Sequence, residues 1–205
     1  MPTAINKIVD SFPFPMIPTI VGTPTYNTIA EVNLKLNSNS ASVQSNLGCS
    51  NLDILQLTVS PAVYNPLSVI PFILPINPSS VPIIPANSTG DQITELCYAF
   101  DTATALFNEY DRTDNALRQF LLSAVNEIFI RSLQHKYIGY GLTTTGTILD
   151  HQYKTYANIS YADLQENDSV FRTRYDINQP IETLFNKFEN CGDFDAAGNT
   201  PYSLE

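Results

Sequence analysis

Prolines and apolar periodicity divide the chain into two parts. Twelve of the 14 prolines lie at or before Pro85, and residues 86–179 contain none. The proline-free window shows apolar positions at steps of three and four, as an amphipathic helix requires. The first such run consists of Ile93, Leu96, Cys97, Phe100, Ala103, Phe107 and Tyr110. Thr89 precedes it with Gln92 three residues on, a capping-box arrangement that predicts a helix start.

Four more helices are predicted after this run. The second consists of Leu117, Phe120, Leu121, Ala124, Val125, Ile128 and Phe129. The glycines of "YIGYG" (137–141) are typical of a helix end, and a third helix follows over 148–156. Ser160 as N-cap, with Asp163 reaching back, predicts a fourth helix through about Arg172. Pro180 suits the first position of a fifth helix, "IETLFNKFE". The fold class is therefore mainly α, a bundle of five to six helices.

The proline-rich first part is harder to assign. Ile29, Val32, Leu36 and Val43 keep a helical period, whereas Val32, Leu34 and Leu36 alternate like a strand. We favour a helix that begins near Pro24. The β-branched, alternating "LDILQLTVS" (52–60) predicts a short strand or hairpin, and Ser60 with Pro61 predicts one helical turn after it.

Residues 71–88, called the arm below, combine prolines with large apolar side chains. Proline excludes a helix interior and a central strand, so the arm is expected to be extended. It is too apolar for a solvated linker. We expect it to lie in an apolar groove of the helical bundle, either packed within its own fold or contacting a neighbouring subunit. The candidate interaction residues are Phe72, Ile73, Leu74, Ile76, Ile83 and Ile84.

Net charge limits the partners that the chain can bind by itself. Ten basic and 20 acidic residues give a net charge of −10, and this negative charge opposes binding to phosphate backbones and to anionic membranes. Cys49, Cys97 and Cys191 are far apart and odd in number, which argues against a disulfide framework and a paired-cysteine metal site. No signal peptide or spanning segment is recognised, so we expect an intracellular protein.

Catalytic signatures are absent from the sequence. It contains no phosphate-binding glycine loop, HExxH, GxSxG or CxxC motif. "DTA" at Asp101 resembles an aspartic-protease triplet but lacks the glycine and lies in a helical run, so a solvated helix face is favoured. His135 and His151 lack further ligands at metal-binding spacing, and the acids of "DLQEND" (163–168) lack calcium-loop spacing. We expect no enzyme activity, cofactor, metal ion or small-molecule substrate.

Several long blocks carry a resemblance to a known family. They include "NLKLNSNSASVQSNLGC", "PFILPINP", "LFNEYDRTDNALRQFLLSAV", "ILDHQYKTYANISYADLQEND" and "YDINQPIETLFNKFENCGDFDAAGNTPYS". Together they resemble the N-terminal part of Gag polyproteins of copia-type LTR retrotransposons, over nearly the whole chain. The most specific are "ILDHQYKTYANISYADL" and "DINQPIETLF".

The resemblance implies a capsid region that forms cytoplasmic virus-like particles with copies of itself. RNA contact would belong to a downstream region absent from this chain. The alternative is a domesticated Gag-like helical adaptor that binds a protein partner without forming particles. The expected organisation is an extended N-terminal segment (1–23), a mixed helix and strand subdomain (24–70), the arm (71–88), a helical capsid-like domain (89–203) and an expression scar (204–205).

Overall fold

The helical periodicities of the sequence become six α-helices in the computed structural model, which describes residues 8–45, 52–68 and 70–199. The mainly α fold class is confirmed. The helices are α1 (Tyr26–Ser42), α2 (Pro61–Tyr64), α3 (Gly90–Ala124), α4 (Thr145–Tyr156), α5 (Tyr161–Arg172) and α6 (Ile181–Ala197). Three short 3₁₀ helices accompany them, at Asp53–Leu57, Glu127–Phe129 and Arg131–Leu133.

Side-chain caps set the helix starts. Capping boxes begin α3 at Thr89 with Gln92 and α5 at Ser160 with Asp163, as the sequence predicts. A third box, Thr25 with Thr28, begins α1. Pro180 is the N-cap of α6 and not its first helical residue, because its ψ of 142° is extended. The caps satisfy amide groups that have no partner inside the helix.

The core lies between α1, the second half of α3, α4 and the 3₁₀ helix at Asp53–Leu57. Its buried apolar residues are Phe12, Ile20, Ile29, Val32, Leu36, Ile54, Leu57, Ala116, Leu117, Leu121, Ala124, Val125, Ile130, Ile148 and Leu149. Gly146 allows α4 to approach the 3₁₀ helix closely, since a Cβ there would lie 3.3 Å from the carbonyl oxygen of Leu57. α1 is a helix because Ile29, Val32 and Leu36 share the buried face, while Leu34 is exposed.

The proline-rich N-terminal segment packs onto this core. The amide of Ile20 donates to the carbonyl of Ala124 at 2.8 Å, where α3 ends. Asn39 of α1 is fully buried: its Oδ1 accepts from the amide of Phe14, and its Nδ2 donates to the carbonyl of Phe14, both at 2.9 Å. A side-chain amide thus pairs with both backbone groups of a residue that lies in no regular element.

The predicted strand at 52–60 is wrong. Among the described residues no strand or sheet is present, and residues 53–57 form a 3₁₀ helix. A lone strand without a neighbour would leave its backbone groups unpaired. The 3₁₀ helix pairs them locally, because the amide of Leu55 donates to the carbonyl of Leu52 at 2.9 Å and that of Thr58 to Leu55 at 3.0 Å.

The first two predicted helices are one continuous helix, α3, of 35 residues. No proline or glycine interrupts residues 91–124. α3 ends before Val125, so Ile128 and Phe129 lie in a 3₁₀ turn that Asn126 caps. The "YIGYG" segment does not end a helix; it forms a turn in which His135 and Gly139 exchange backbone hydrogen bonds, with Gly139 at φ 57°. Within the described residues, none of the helices is both long and apolar enough to cross a bilayer.

Candidate interaction surfaces

The arm is extended, as predicted, and is anchored at its first aromatic residue. The ring of Phe72 lies 6.2 Å from the fully buried Tyr64 of α2 and 6.3 Å from Tyr110 of α3. The arm then returns to the start of α3, where residues 85–88 and the side chains of Gln92, Glu95, Leu96 and Ala99 line a small cleft. The arm therefore begins beside the middle of α3 and ends at the N-terminus of that helix.

The arm exposes its apolar side chains. Phe72, Pro75 and Pro78 are half-buried at a spacing of three, the period of a polyproline II helix. The residues between them are exposed, with Ile73 at 73% and Ile76 at 82% of their full accessible area, and Ile83, farther along the arm, is 92% exposed. Leu74 and Ile84 are exposed as well. Packing within one chain therefore covers part of Phe72 and leaves the other five candidate residues exposed.

The helix next to the arm is also incompletely covered. None of the residues 90–112 of α3, called the projecting half below, is fully buried. Its apolar stripe is only half-buried at Ile93, Leu96, Phe100 and Phe107, and Cys97 and Tyr98 beside it are exposed. A helix with one apolar stripe gains its stability in water by burying that stripe. The arm and the projecting half together form one apolar surface, called the arm surface below.

The arm itself carries no charged residue, whereas the projecting half carries Asp91, Glu95, Asp101, Glu109, Asp111 and Arg112. Residues 54–90 contain no Asp, Glu, Lys, Arg or His, although the whole chain carries −10. This region contains the whole arm and the first residue of α3. A contact made here removes no ionised side chain of the arm from water, so it avoids the cost of burying charge.

A second feature is an open groove of about 1130 Å³ between α1 and the facing sides of α5 and α6. Tyr26, Leu34 and Phe194 supply apolar lining, and Glu31, Glu166 and Lys187 lie around it. Burial raises the pKa of the Cys191 thiol, and the nearby Lys187 opposes that shift only in part, so the thiol is a poor nucleophile at neutral pH. No histidine lines the groove.

The other motifs of the sequence have structural surroundings. Asp101 is exposed on the projecting half. His135 lies in the turn with Gly139, and His151 on α4 contacts Ser132, Thr155 and the carbonyl of Phe129. In "DLQEND", Asp163 caps α5 and Asp168 pairs with Arg172 at 2.9 Å. Among the described residues, no three His, Cys, Asp or Glu side chains are grouped to hold a metal ion.

Sequence reasoning missed two features. One is the contact of Asp114 with Thr145, which joins α3 to α4 across 31 positions and leaves no mark in a local pattern. The other is the tip of the hairpin formed by α5, residues 173–180 and α6. Exposed apolar side chains lie there at Val170, Ile177, Ile181, Phe185 and Phe188. The spacing of Ile181, Phe185 and Phe188 on one helix face was the available signal.

Comparison with known proteins identifies no relative. No family model matches the sequence, and no curated protein and no solved structure is similar to it at a significant level. The resemblance of the quoted blocks to Gag polyproteins therefore stays a sequence prediction.

Proposed function

We propose that this chain is a structural subunit, the capsid region of a Gag-like retrotransposon protein, which associates with copies of itself into intracellular particles. The observation that carries the proposal is the arm surface. There, aliphatic side chains of the arm are exposed to water beside residues 90–112 of α3, none of which is fully buried. The resemblance of the long sequence blocks agrees with it. Binding of RNA would belong to a region downstream of this chain.

The size of the arm surface fits a contact between subunits. The exposed apolar residues of the arm are Ile73, Leu74, Ile76, Val81, Ile83 and Ile84. At roughly 100 Å² for each aliphatic side chain, they amount to about 600 Å² per chain. That is the upper end of the roughly 300–600 Å² that the largest apolar patch of a typical monomer covers. Two copies would bury about 1200 Å², the lower end of stable interfaces.

Charge favours a second copy as the partner at this place. Two chains of −10 repel each other, so their contact is most favourable where no acidic residue is brought close to another. The arm meets this condition with six exposed aliphatic side chains, whereas the uncharged residues 11–30 expose only Met16 and Val21 among large apolar side chains.

The groove between α1 and the hairpin of α5 and α6 supports a second candidate, a helical adaptor that binds a protein partner. Its volume of about 1130 Å³ is large enough for a peptide segment, and its rim is mixed polar and acidic. An adaptor would use this groove for a different protein and would stay a monomer or small oligomer by itself.

Polar substitution in the arm tests the proposal that the chain is a particle subunit. In a triple variant with Ile73→Ser, Ile76→Ser and Ile83→Ser, we expect the melting temperature to stay within about 2 °C of the unmodified protein, because these side chains are exposed. Self-association should weaken at least about tenfold. Light scattering coupled to size exclusion, and electron microscopy of the particles, measure the change.

A matched control separates the arm from general surface hydrophobicity. Val21, Ile128 and Leu142 are similarly exposed but lie outside the arm, so their triple Ser variant should associate like the unmodified chain. Phe72→Ala should instead lower the melting temperature, because its ring packs against Tyr64 and Tyr110. If the unmodified chain stays monomeric at every concentration, it is not a particle subunit, and the adaptor is favoured.

A further inference from the structure

The hairpin of α5 and α6 is joined to the core at one end. Near its base, Cys191 and Phe194 of α6 are buried, and the ring of Phe194 lies 5.7 Å from that of Tyr26 in α1. Asn167 of α5 donates from Nδ2 to the carbonyl of Cys191 at 3.0 Å and to Asp195 at 2.8 Å. These contacts fix the hairpin to α1 and fix its two helices to each other.

The opposite end, residues 168–188, is called the tip below, and most of its large apolar side chains are exposed. Phe171 and Phe188 pack with ring centroids 5.0 Å apart, yet Phe188 is still exposed. Phe185 is 62% exposed and Ile177 is 87% exposed. α5 contains no buried residue. Two antiparallel helices bury only the seam between them, so an apolar face on the outside of the pair requires another layer.

Charge at the tip differs from that of the whole chain. Residues 168–187 contain three acidic residues and three basic residues, so this segment is neutral within a chain of −10. The acids are Asp168, Asp176 and Glu182, and the bases are Arg172, Arg174 and Lys187. A surface with both signs can complement itself about a two-fold axis, whereas an acidic surface cannot.

We propose that the tip is a second self-association surface, which binds the tip of another copy and links arm-joined dimers into larger assemblies. This inference rests on the proposed function. A contact between identical patches about a two-fold axis closes after two copies. If the arm surface makes such a contact, a particle requires a second, separate contact, and the tip lies in a different part of the fold from the arm.

The tip contact is the weaker of the two. Five exposed apolar side chains, at roughly 100 Å² each, supply about 500 Å² per chain. Two tips would therefore bury about 1000 Å², close to the minimum for a specific interface. Dimers joined by the arm should form at lower concentrations, and linkage through the tip should follow as concentration rises.

Four proteins, each comprising residues 1–205, separate the two contacts by sedimentation velocity. They are the unmodified chain, the triple arm variant described above, a tip variant with Ile177→Ser and Phe185→Ser, and the combination of both. We expect large species from the unmodified chain and a weak dimer from the arm variant. The tip variant should form a dimer that grows no further, and the combined variant should be a monomer. The two tip residues were chosen because their high exposure makes their substitution least harmful to folding.

Cys97 reports which contact has formed. It is exposed on the projecting half, whereas Cys191 is buried and burial raises the pKa of its thiol. With Cys49→Ser in every protein, Cys97 is expected to be the fast thiol toward a disulfide reagent. Association of the unmodified chain and the tip variant should slow its modification, because their contact includes the arm surface. Association of the arm variant should not.

Charge exchange identifies the partner surface and does not depend on the apolar substitutions. Arg174→Glu and Glu182→Lys each change an exposed side chain and give the tip a charge of −2 or +2. Each variant alone should stop at the dimer, and an equal mixture should recover large species. Recovery occurs only if tips of opposite charge meet.

Each outcome decides between the two proposals. A tip variant that assembles like the unmodified chain, or a mixture of charge variants that does not recover, overturns the tip proposal and leaves the proposed function standing. An arm variant that is monomeric at all concentrations also overturns it. A monomeric unmodified chain overturns both.

Discussion

At the scale of single residues, the contact of Asp114 with Thr145 joins α3 to α4. The amide of Thr145 donates to Oδ1 of Asp114 at 2.9 Å, and the Thr145 hydroxyl donates to the Asp114 carbonyl at 3.1 Å. Asp114→Ala should lower the free energy of unfolding by about 1–3 kcal/mol, because it leaves a buried amide without an acceptor. Urea denaturation measures this loss. Asp114→Asn keeps an acceptor oxygen and serves as the matched control, so an equal loss in both variants would contradict the explanation.

The same carboxyl group gives a pH dependence of definite sign. Burial raises the pKa of Asp114 above 3.8, and the hydrogen bonds from Thr145 and the charge of Arg118 oppose this shift only in part. Since the folded state holds the proton more tightly, the contribution of Asp114 to stability is largest below pH 3.8 and falls as pH rises through the raised pKa. The stability of the unmodified protein relative to Asp114→Asn should therefore decrease over that range, and melting curves at several pH values measure it.

At the scale of elements, the start of α5 depends on an ionised carboxylate. The amide and hydroxyl of Ser160 donate to Oδ2 of Asp163 at 2.7 and 2.6 Å, and these bonds lower the pKa of Asp163 below 3.8. The cap therefore contributes stability above pH 3.8, and this contribution is lost as pH falls through the lowered pKa. We expect the first turn of α5 to fray on acidification, as amide exchange at residues 161–164 would show. Asp163→Asn should remove this dependence, and fraying that persists in that variant would assign it to another group.

At the scale of the whole molecule, net charge opposes the association that the apolar surfaces favour. Copies of a chain with a net charge of −10 repel each other through water. Salt screens that repulsion, because the Debye length falls from about 10 Å at 0.1 M salt to about 3 Å at 1 M. Dimerisation of the tip variant, which uses the arm alone, should therefore strengthen as sodium chloride is raised over this range. Light scattering at fixed protein concentration measures it. Association that weakens with salt would mean that ion pairs hold the copies together, contrary to a contact through the uncharged arm.

The sequence by itself determined the helices that local signals define. The caps at Thr89 and Ser160 are confirmed because a capping box is complete within four neighbouring residues. The helical turn after Ser60 is confirmed for a similar reason, since Pro61 presets its own backbone. The extended form of the arm was also predictable, because proline excludes the regular alternatives wherever it stands.

Only the tertiary structure decided what each pattern packs against. The alternation at 52–60 was compatible with a strand, but no neighbouring strand exists among the described residues, and the segment pairs its backbone as a 3₁₀ helix beside α1. The arm's sequence shows that its side chains are apolar, but not that Phe72 faces inward while Ile76 and Ile83 face water. Burial depends on groups far away along the chain, such as Tyr110 beside Phe72, and a local pattern carries no record of them.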